Sequence, residues 1–149
     1  MEEQMSKRWL AANAAIFDEQ GRILLVKHTY GRENWELPGG VAEFNESIVE
    51  TAVREAREET GLQVAAEHTT GIYYEPDLDL LIFVFLCHPT DNSFKDLRPD
   101  NNEISECVFW PLEALPRPIS DFTIRRVMDA ASGICVPLPA VMPKRQWLD

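Results

Sequence analysis

Apolar residues along the chain change their spacing several times, and each change marks an element. Arg8 to Phe17 and Ile23 to Thr29 are apolar with few interruptions, as strands are, and Asp18-Glu19-Gln20-Gly21 between them predicts a hairpin turn. The first of these strands is rich in alanine, a weak strand former. From Ser47 the spacing becomes helical. Ser47 and Glu50 form an S-x-x-E capping box, Val49, Ala52, Val53 and Ala56 make one apolar arc, and Gly61 supplies a left-handed terminator, so Ile48 to Thr60 is predicted helical. Leu62 to Glu75 and Leu80 to His88 follow as an antiparallel strand pair across the turn Pro76-Asp77-Leu78-Asp79. Ser105 to Trp110 predicts another strand, and Ser120 to Ala131 a helix with Phe122, Ile124, Val127 and Met128 facing the core. This order of elements implies an α/β fold, a mixed sheet covered by helices.

No repeat, low-complexity run or linker interrupts the chain before its end, and 149 residues suit one domain with a sizeable core. Residues 1–132 read as that domain. Residues 133–149 read as a tail: Gly133 to Pro143 carries three prolines among apolar residues, which prevents an ordinary helix, and Trp147 adds to its apolar surface. Such a tail packs on its own domain or on a second subunit, so both a monomer and a homodimer fit. With 25 acidic against 14 basic residues, the formal charge of −11 disfavours duplex nucleic acid and anionic membranes as partners. No window approaches the roughly 18 apolar residues of a membrane span, and Met1 to Leu10 lacks a leader's apolar stretch. A cytoplasmic location is the expectation. Cys87, Cys107 and Cys135 are odd in number and without C-x-x-C spacing, which suits core packing rather than a disulfide or zinc framework.

Chemistry concentrates on the helix after Ser47. At about 100° per residue, Glu55, Glu58 and Glu59 fall on one stripe beside the apolar arc. Like charges so placed repel unless a cation lies among them, and an all-oxygen donor set suits Mg²⁺ or Mn²⁺ rather than zinc. A solvated acidic face satisfies the same spacing.

The surrounding letters bear on that choice. Gly40, Glu46, Arg54, Glu55, Glu58, Glu59, Gly61 and Leu62 fill every fixed position of G-x5-E-x7-R-E-U-x-E-E-x-G-U, with U a bulky aliphatic, and Trp35-Glu36-Leu37-Pro38-Gly39 leads into it. The segment resembles the box of the Nudix hydrolase family. It departs from that pattern at Ala56, where a larger aliphatic is usual, and at Asn45, where glycine is frequent; Asn tolerates positive φ better than most residues.

The resemblance implies an α/β/α sandwich and hydrolysis of a phosphoanhydride in a nucleoside diphosphate linked to another group. It further implies Glu55, Glu58, Glu59 and the Gly39 carbonyl as metal ligands, with Gly40, Glu46, Arg54 and Gly61 as the structural part of the motif. Glu46 and Arg54 would pair, and Glu43 would assist a second metal or remain a solvated loop acid. Glu55 is the first choice of general base, and Glu103, just ahead of a predicted strand, is the alternative from a distant loop. Glu106 fits less well, because alternation turns it toward solvent. Lys27 and Arg32, ahead of the box, are candidate phosphate contacts. Tyr73 and Tyr74 are candidate stacking surfaces, with Tyr73 carried forward as substrate-binding.

For the substrate, a small-molecule nucleotide, the expectation is a nucleoside triphosphate or its oxidised form. ADP-ribose or a nucleotide sugar is the runner-up, since Pro76 lies near but not at the proline position that sometimes accompanies ADP-ribose specificity. A non-catalytic nucleotide-binding regulatory module would show a degraded box, and an isoprenoid diphosphate isomerase a different spacing. The complete box argues against both.

Overall fold

The computed structural model describes residues 7–148. Met1 to Ser6, which make up most of the segment read as lacking a leader, and Asp149 lie outside the described residues. The elements, in order, are β1 (Trp9–Ile16), β2 (Ile23–His28), β3 (Trp35–Glu36), β4 (Gly39–Val41), α1 (Ile48–Thr60), β5 (Val64–Glu75), β6 (Leu80–Pro89), β7 (Ile104–Trp110) and α2 (Asp121–Ala131). They form a mixed four-stranded sheet, ordered β4-β1-β6-β5, and an antiparallel three-stranded sheet, ordered β3-β2-β7. In the first sheet β1 runs parallel to β6 and antiparallel to β4, while β5 and β6 pair antiparallel as the sequence predicts.

Strand alternation builds a core on each face of the mixed sheet. Ala11 and Ala15 of β1, Ile82 and Val84 of β6, and Val127 and Ala130 of α2 pack together on one side. Ala12, Ala14 and Ile16, with Phe85 and Cys87, meet Ala52 and Ala56 of α1 on the other. The sheet therefore lies between two helices, an α/β/α sandwich. Alanine in β1 opposite alanine in α1 brings helix and sheet close, which gives a reason for the small residue at position 56.

The helix α1 has the predicted bounds. Ser47 Oγ accepts from the Glu50 amide at 3.2 Å, and Gly61 ends the helix at φ +76° with its amide donating to the Arg57 carbonyl. Asn45 adopts φ +60°, the conformation for which its side chain is suited.

Three expectations are corrected, the simplest being that Cys135, read with Cys87 and Cys107 as core packing, is exposed. The turn at Asp18 to Gly21 forms, with the Asp18 carboxylate accepting from the Gln20 and Arg22 amides, but β1 and β2 do not make a hairpin ladder. Apart from one bridge between Phe17 and Ile23, they part into different sheets because each finds longer pairing elsewhere. On α2, Phe122, Ile124 and Met128 are exposed, and the inward face is Thr123, Arg126, Val127 and Ala130. Polar groups occupy that face because Arg126 and Thr123 bond to Glu36 and Arg126 also bonds to Asn13. The two-residue strand β3 and three-residue strand β4 of the lead-in were not anticipated, being too short for any periodicity to show.

The tail crosses the outer edge of β5. Val136 and Thr69 exchange backbone hydrogen bonds at 2.8 and 2.9 Å, Thr69 Oγ1 donates to the Pro137 carbonyl, and Leu138 packs on the α1-side core. The bonds satisfy part of an open sheet edge. Val141, Met142, Trp147 and Leu148 beyond it are exposed.

Gly61→Ala tests the local design. A Cβ there would lie 2.6 Å from the Asp96 carbonyl oxygen as well as in the left-handed region, so stability is expected to fall by roughly 2 kcal/mol or more. Thermal denaturation should show a drop of several degrees, and an unchanged midpoint would contradict this account of the cap.

Candidate active site

The site is built where β4 meets α1. Gly39 and Gly40 lie in β4 against β1, and a side chain at either would collide: a Cβ at Gly40 would come 2.7 Å from the Glu55 carboxyl, and one at Gly39 within 2.3 Å of the Ala12 carbonyl oxygen. At Gly39, where the clash is with backbone, glycine is required for close approach and not for turn geometry; at Gly40 it leaves the Glu55 carboxyl its present place. The helix then supplies its stripe. Glu59 is buried; its Oε1 accepts from the Gly39 amide at 3.1 Å, and among the described residues its Oε2 has no partner.

Arg54 organises the other carboxylates. Its Nε and Nη2 donate to the two oxygens of Glu46 at 2.6 and 3.1 Å, and Nη1 donates to Glu55 at 2.9 Å and Glu58 at 3.1 Å, with Glu43 at 3.6 Å. Thr51 Oγ1 also donates to Glu46 at 2.7 Å. The Arg54 bonds, helped by Thr51, hold the Glu46 carboxyl down at about 2 against the opposing effect of burial. The guanidinium in turn is held more firmly charged, chiefly by Glu46.

The remaining carboxylates shift the other way. Burial pushes Glu59 up to about 9; the Gly39 amide opposes this, and the charges of Glu55, Asp100 and Glu103 add to it. Burial also raises Glu55, with Arg54 opposing and Glu58 and Glu103 adding. The charge of Glu103, on an exposed loop, thus acts on both. That loop is anchored: its backbone carbonyl accepts from Thr29 at 2.9 Å, and Asp100 Oδ1 accepts from the amides of Asn102 and Ile104.

An unpartnered, buried carboxylate oxygen among further negative charges fits a hard cation with oxygen ligands. Among the described residues, however, no three His, Cys, Asp or Glu side chains already converge on one ligand point. Glu55 and Glu58 turn instead onto Arg54 Nη1, a cation already within the cluster.

The structure brings together Gly39, Gly40, Glu46, Arg54, Glu55, Glu58 and Glu59, with Gly61 closing the helix and the charge of Glu103 felt by Glu55 and Glu59. It does not bring Tyr73 to them: its hydroxyl donates to Asp129 at 2.7 Å, and its ring lines a cavity of about 180 Å³ with Pro76, Ile82, Phe122 and Arg126. Lys27 Nζ lies 3.8 Å from Glu106, which is exposed as expected. Arg32 is exposed beside Asn34 and Pro118.

Sequence reading missed Tyr30, which stacks on His28 and whose hydroxyl feels Glu103, Glu59, Glu55 and Glu36. It also missed Asn13, Glu36 and Arg126, which form a network behind Gly39. Their signal was available in part, as polar residues interrupting apolar stretches.

A profile of the NUDIX domain matches residues 7–130. The chain belongs to the NUDIX family. Membership places it among the hydrolases of phosphoanhydride bonds. A MutT-like protein of Streptomyces ambofaciens is 32% identical over 120 residues, covering 79% of this chain and 73% of the relative. The human 8-oxo-dGDP phosphatase NUDT18 is 31% identical over 80% of this chain, which spans only 37% of that longer protein. An ADP-ribose pyrophosphatase of Methanocaldococcus jannaschii is 31% identical over 68% of this chain and 62% of its own length. Among solved structures, a NUDIX hydrolase from Nitrosomonas europaea superposes with a TM-score of 0.72 at 26% identity, covering 89% of this chain and 94% of that one. No described helix of this NUDIX chain is long and apolar enough to cross a membrane.

The charge pattern sets a pH dependence. A carboxyl raised from 4.5 to about 9 favours the fold most below 4.5, and that contribution is lost as pH rises through the window to 9. Glu46, lowered to about 2, contributes above 4.5 and loses its contribution as pH falls toward 2. With divalent ions chelated, Glu59→Gln is therefore expected to melt above the parent at pH 8, and the difference should shrink by pH 5. Equal differences at both values would show that ionisation of Glu59 is not the cause.

Proposed function

We propose that this NUDIX chain is a Mg²⁺-dependent pyrophosphohydrolase, with Mn²⁺ able to replace Mg²⁺, acting in the cytoplasm on a small nucleotide. The observation that carries this reading is Glu59, whose one oxygen is fixed by the Gly39 amide while the other lies buried and unpartnered among carboxylates. Glu55, Glu58, Glu59 and the Gly39 carbonyl oxygen would hold the ion, Glu55 and Glu58 by turning away from Arg54. The ion supplies neutralisation of the phosphoanhydride's negative charge and of the charge developing on the leaving group.

The protein's own residues do the rest. Glu46 and Arg54 fasten the loop to α1, so the carboxylates are positioned before substrate arrives. Glu55, whose affinity for protons burial raises, accepts the proton of the attacking water. Glu103 is the second candidate for that role; its carboxylate lies on a loop fixed to the end of β2. Lys27 and Arg32 would meet phosphate oxygens, whereas Tyr73, packed on the α2 side of the sheet, takes no part at this site.

A nucleoside triphosphate or its oxidised form is favoured as substrate. The triphosphate is supported by a putative 8-oxo-dGTP diphosphatase of Bacillus subtilis, 43% identical over 61 residues but matching only 41% of this chain, and the relatives named for 8-oxo-dGDP support the oxidised base, there on a diphosphate. ADP-ribose is the second reading, supported by the Methanocaldococcus relative and by an ADP-ribose pyrophosphatase of Streptococcus suis, which superposes with a TM-score of 0.68 at 26% identity.

A product-resolved assay with Mg²⁺ over nucleoside triphosphates, 8-oxo-dGTP, 8-oxo-dGDP, ADP-ribose and nucleotide sugars separates these readings. Nucleoside monophosphate is the expected product, with pyrophosphate from the triphosphates and phosphate from the diphosphate. AMP with ribose 5-phosphate from ADP-ribose, and triphosphates left intact, would reverse the ranking. Glu58→Gln removes a charge with little change of shape and is expected to lower turnover at least about a hundredfold while remaining folded. Undiminished turnover would exclude the acidic stripe as the metal site.

A further inference from the structure

Arg126 is a charged residue on the inward face of α2, 7% exposed and outside the NUDIX box. All of its nitrogens are engaged. Nη1 donates to Asn13 Oδ1, Nη2 to Glu36 Oε2 at 3.2 Å and Thr123 Oγ1 at 3.3 Å, and Nε to the Phe122 carbonyl at 3.2 Å. The two distant partners, Asn13 and Glu36, stand at the two ends of the segment that delivers Gly39 to the site.

Glu36 begins that segment. With Oε2 held by Arg126 and the Thr123 hydroxyl, its Oε1 accepts from the Leu37 amide at 2.9 Å. Asn13 lies under the segment's far end, as the cross-strand partner of Gly39. The contact is so close that a Cβ on Gly39 would fall 2.2 Å from Asn13 Nδ2. Between them the Pro38 carbonyl accepts from Ala14 at 2.8 Å. A rigid fork therefore sets the start of the lead-in and the side chain against which its end is pressed.

We propose that Arg126 is a positioning residue of the active site: through Glu36 and Asn13 it fixes the Gly39 peptide, and with it the amide that orients Glu59 and the carbonyl offered to the ion. The assignment of that carbonyl rests on the hydrolase reading above; the placement of the Gly39 amide does not. The geometry requires a guanidinium rather than any cation, because one ammonium group cannot span Asn13 and Glu36 in the same plane. Such supporting groups change metal affinity or activity by about 10- to 100-fold when lost.

The test compares Arg126→Lys and Arg126→Gln with the parent, and with Arg125→Gln, an exposed neighbour paired with Asp129 along the helix. Amide hydrogen exchange at Gly39 is read first, in metal-free protein well below the melting temperature. Both Arg126 variants should lose at least about tenfold of the protection at Gly39 while amides inside α1 keep theirs, and Arg125→Gln should match the parent. Turnover as a function of Mn²⁺ concentration is read second. The Lys variant, which keeps the charge and is the safer folder, should need about tenfold more Mn²⁺ for half-maximal rate. Unchanged Gly39 protection in a folded Lys variant overturns the proposal, whatever the substrate. A parent without divalent-dependent turnover overturns the hydrolase reading alone, and the exchange result still decides the role of Arg126.

Discussion

The structure around the site depends on one guanidinium shared by a crowd of carboxylates. Arg54 donates to Glu46, Glu55 and Glu58 and lies within ion-pair distance of Glu43. These acids come from the loop before α1 and from the helix itself, so the same contacts that offset their repulsion also tie loop to helix. A planar fork can do this and a point charge cannot. The carboxyl of Glu55 in turn lies directly over Gly40 of β4, in the space a side chain there would take. Charge, backbone and packing thus specify one another over some twenty residues. That explains why the segment is readable as a unit.

Legibility was highest where interactions are local. The bounds of α1 followed from Ser47 and Gly61, whose capping bonds span three or four residues, and the acidic stripe followed from helical spacing alone. The antiparallel pairing of β5 with β6 was legible because a short turn leaves adjacent strands little alternative. The turn after β1 looked the same in sequence and led elsewhere. Its local bonds form, but β1 gains an eight-residue parallel ladder with β6 and β2 a ladder with β7. Those partners lie more than sixty residues away, so the competition that decides the sheets is invisible in any local window.

The helix α2 shows the converse. Its apolar residues suggest a core face containing Phe122, Ile124 and Met128, yet the structure buries Thr123 and Arg126 instead. Burying Arg126 is tolerable only because Asn13, Glu36, Thr123 and a backbone carbonyl satisfy it, and two of these lie roughly ninety or more residues earlier. Hydrophobic periodicity carries no record of such partners. Tyr30 was missed for a related reason, since its loop sits beside the carboxylates only after β2 pairs with β7.

Glu59 and Glu46 share a motif and have opposite environments, which sorts their roles physically. Glu46 meets a guanidinium, a hydroxyl and a backbone amide, so its charge is fully compensated and contributes to holding the loop. Glu59 has one amide and otherwise negative neighbours, so without a cation its charge is opposed by the fold around it. A cluster optimised only for stability would have supplied Glu59 with a second donor, as it did Glu46. Leaving one oxygen buried and unmatched is a local cost, and a cation that removes it gains affinity from the relief. The same imbalance that opposes the charge of Glu59 would therefore favour a small, multiply charged ion over none at all.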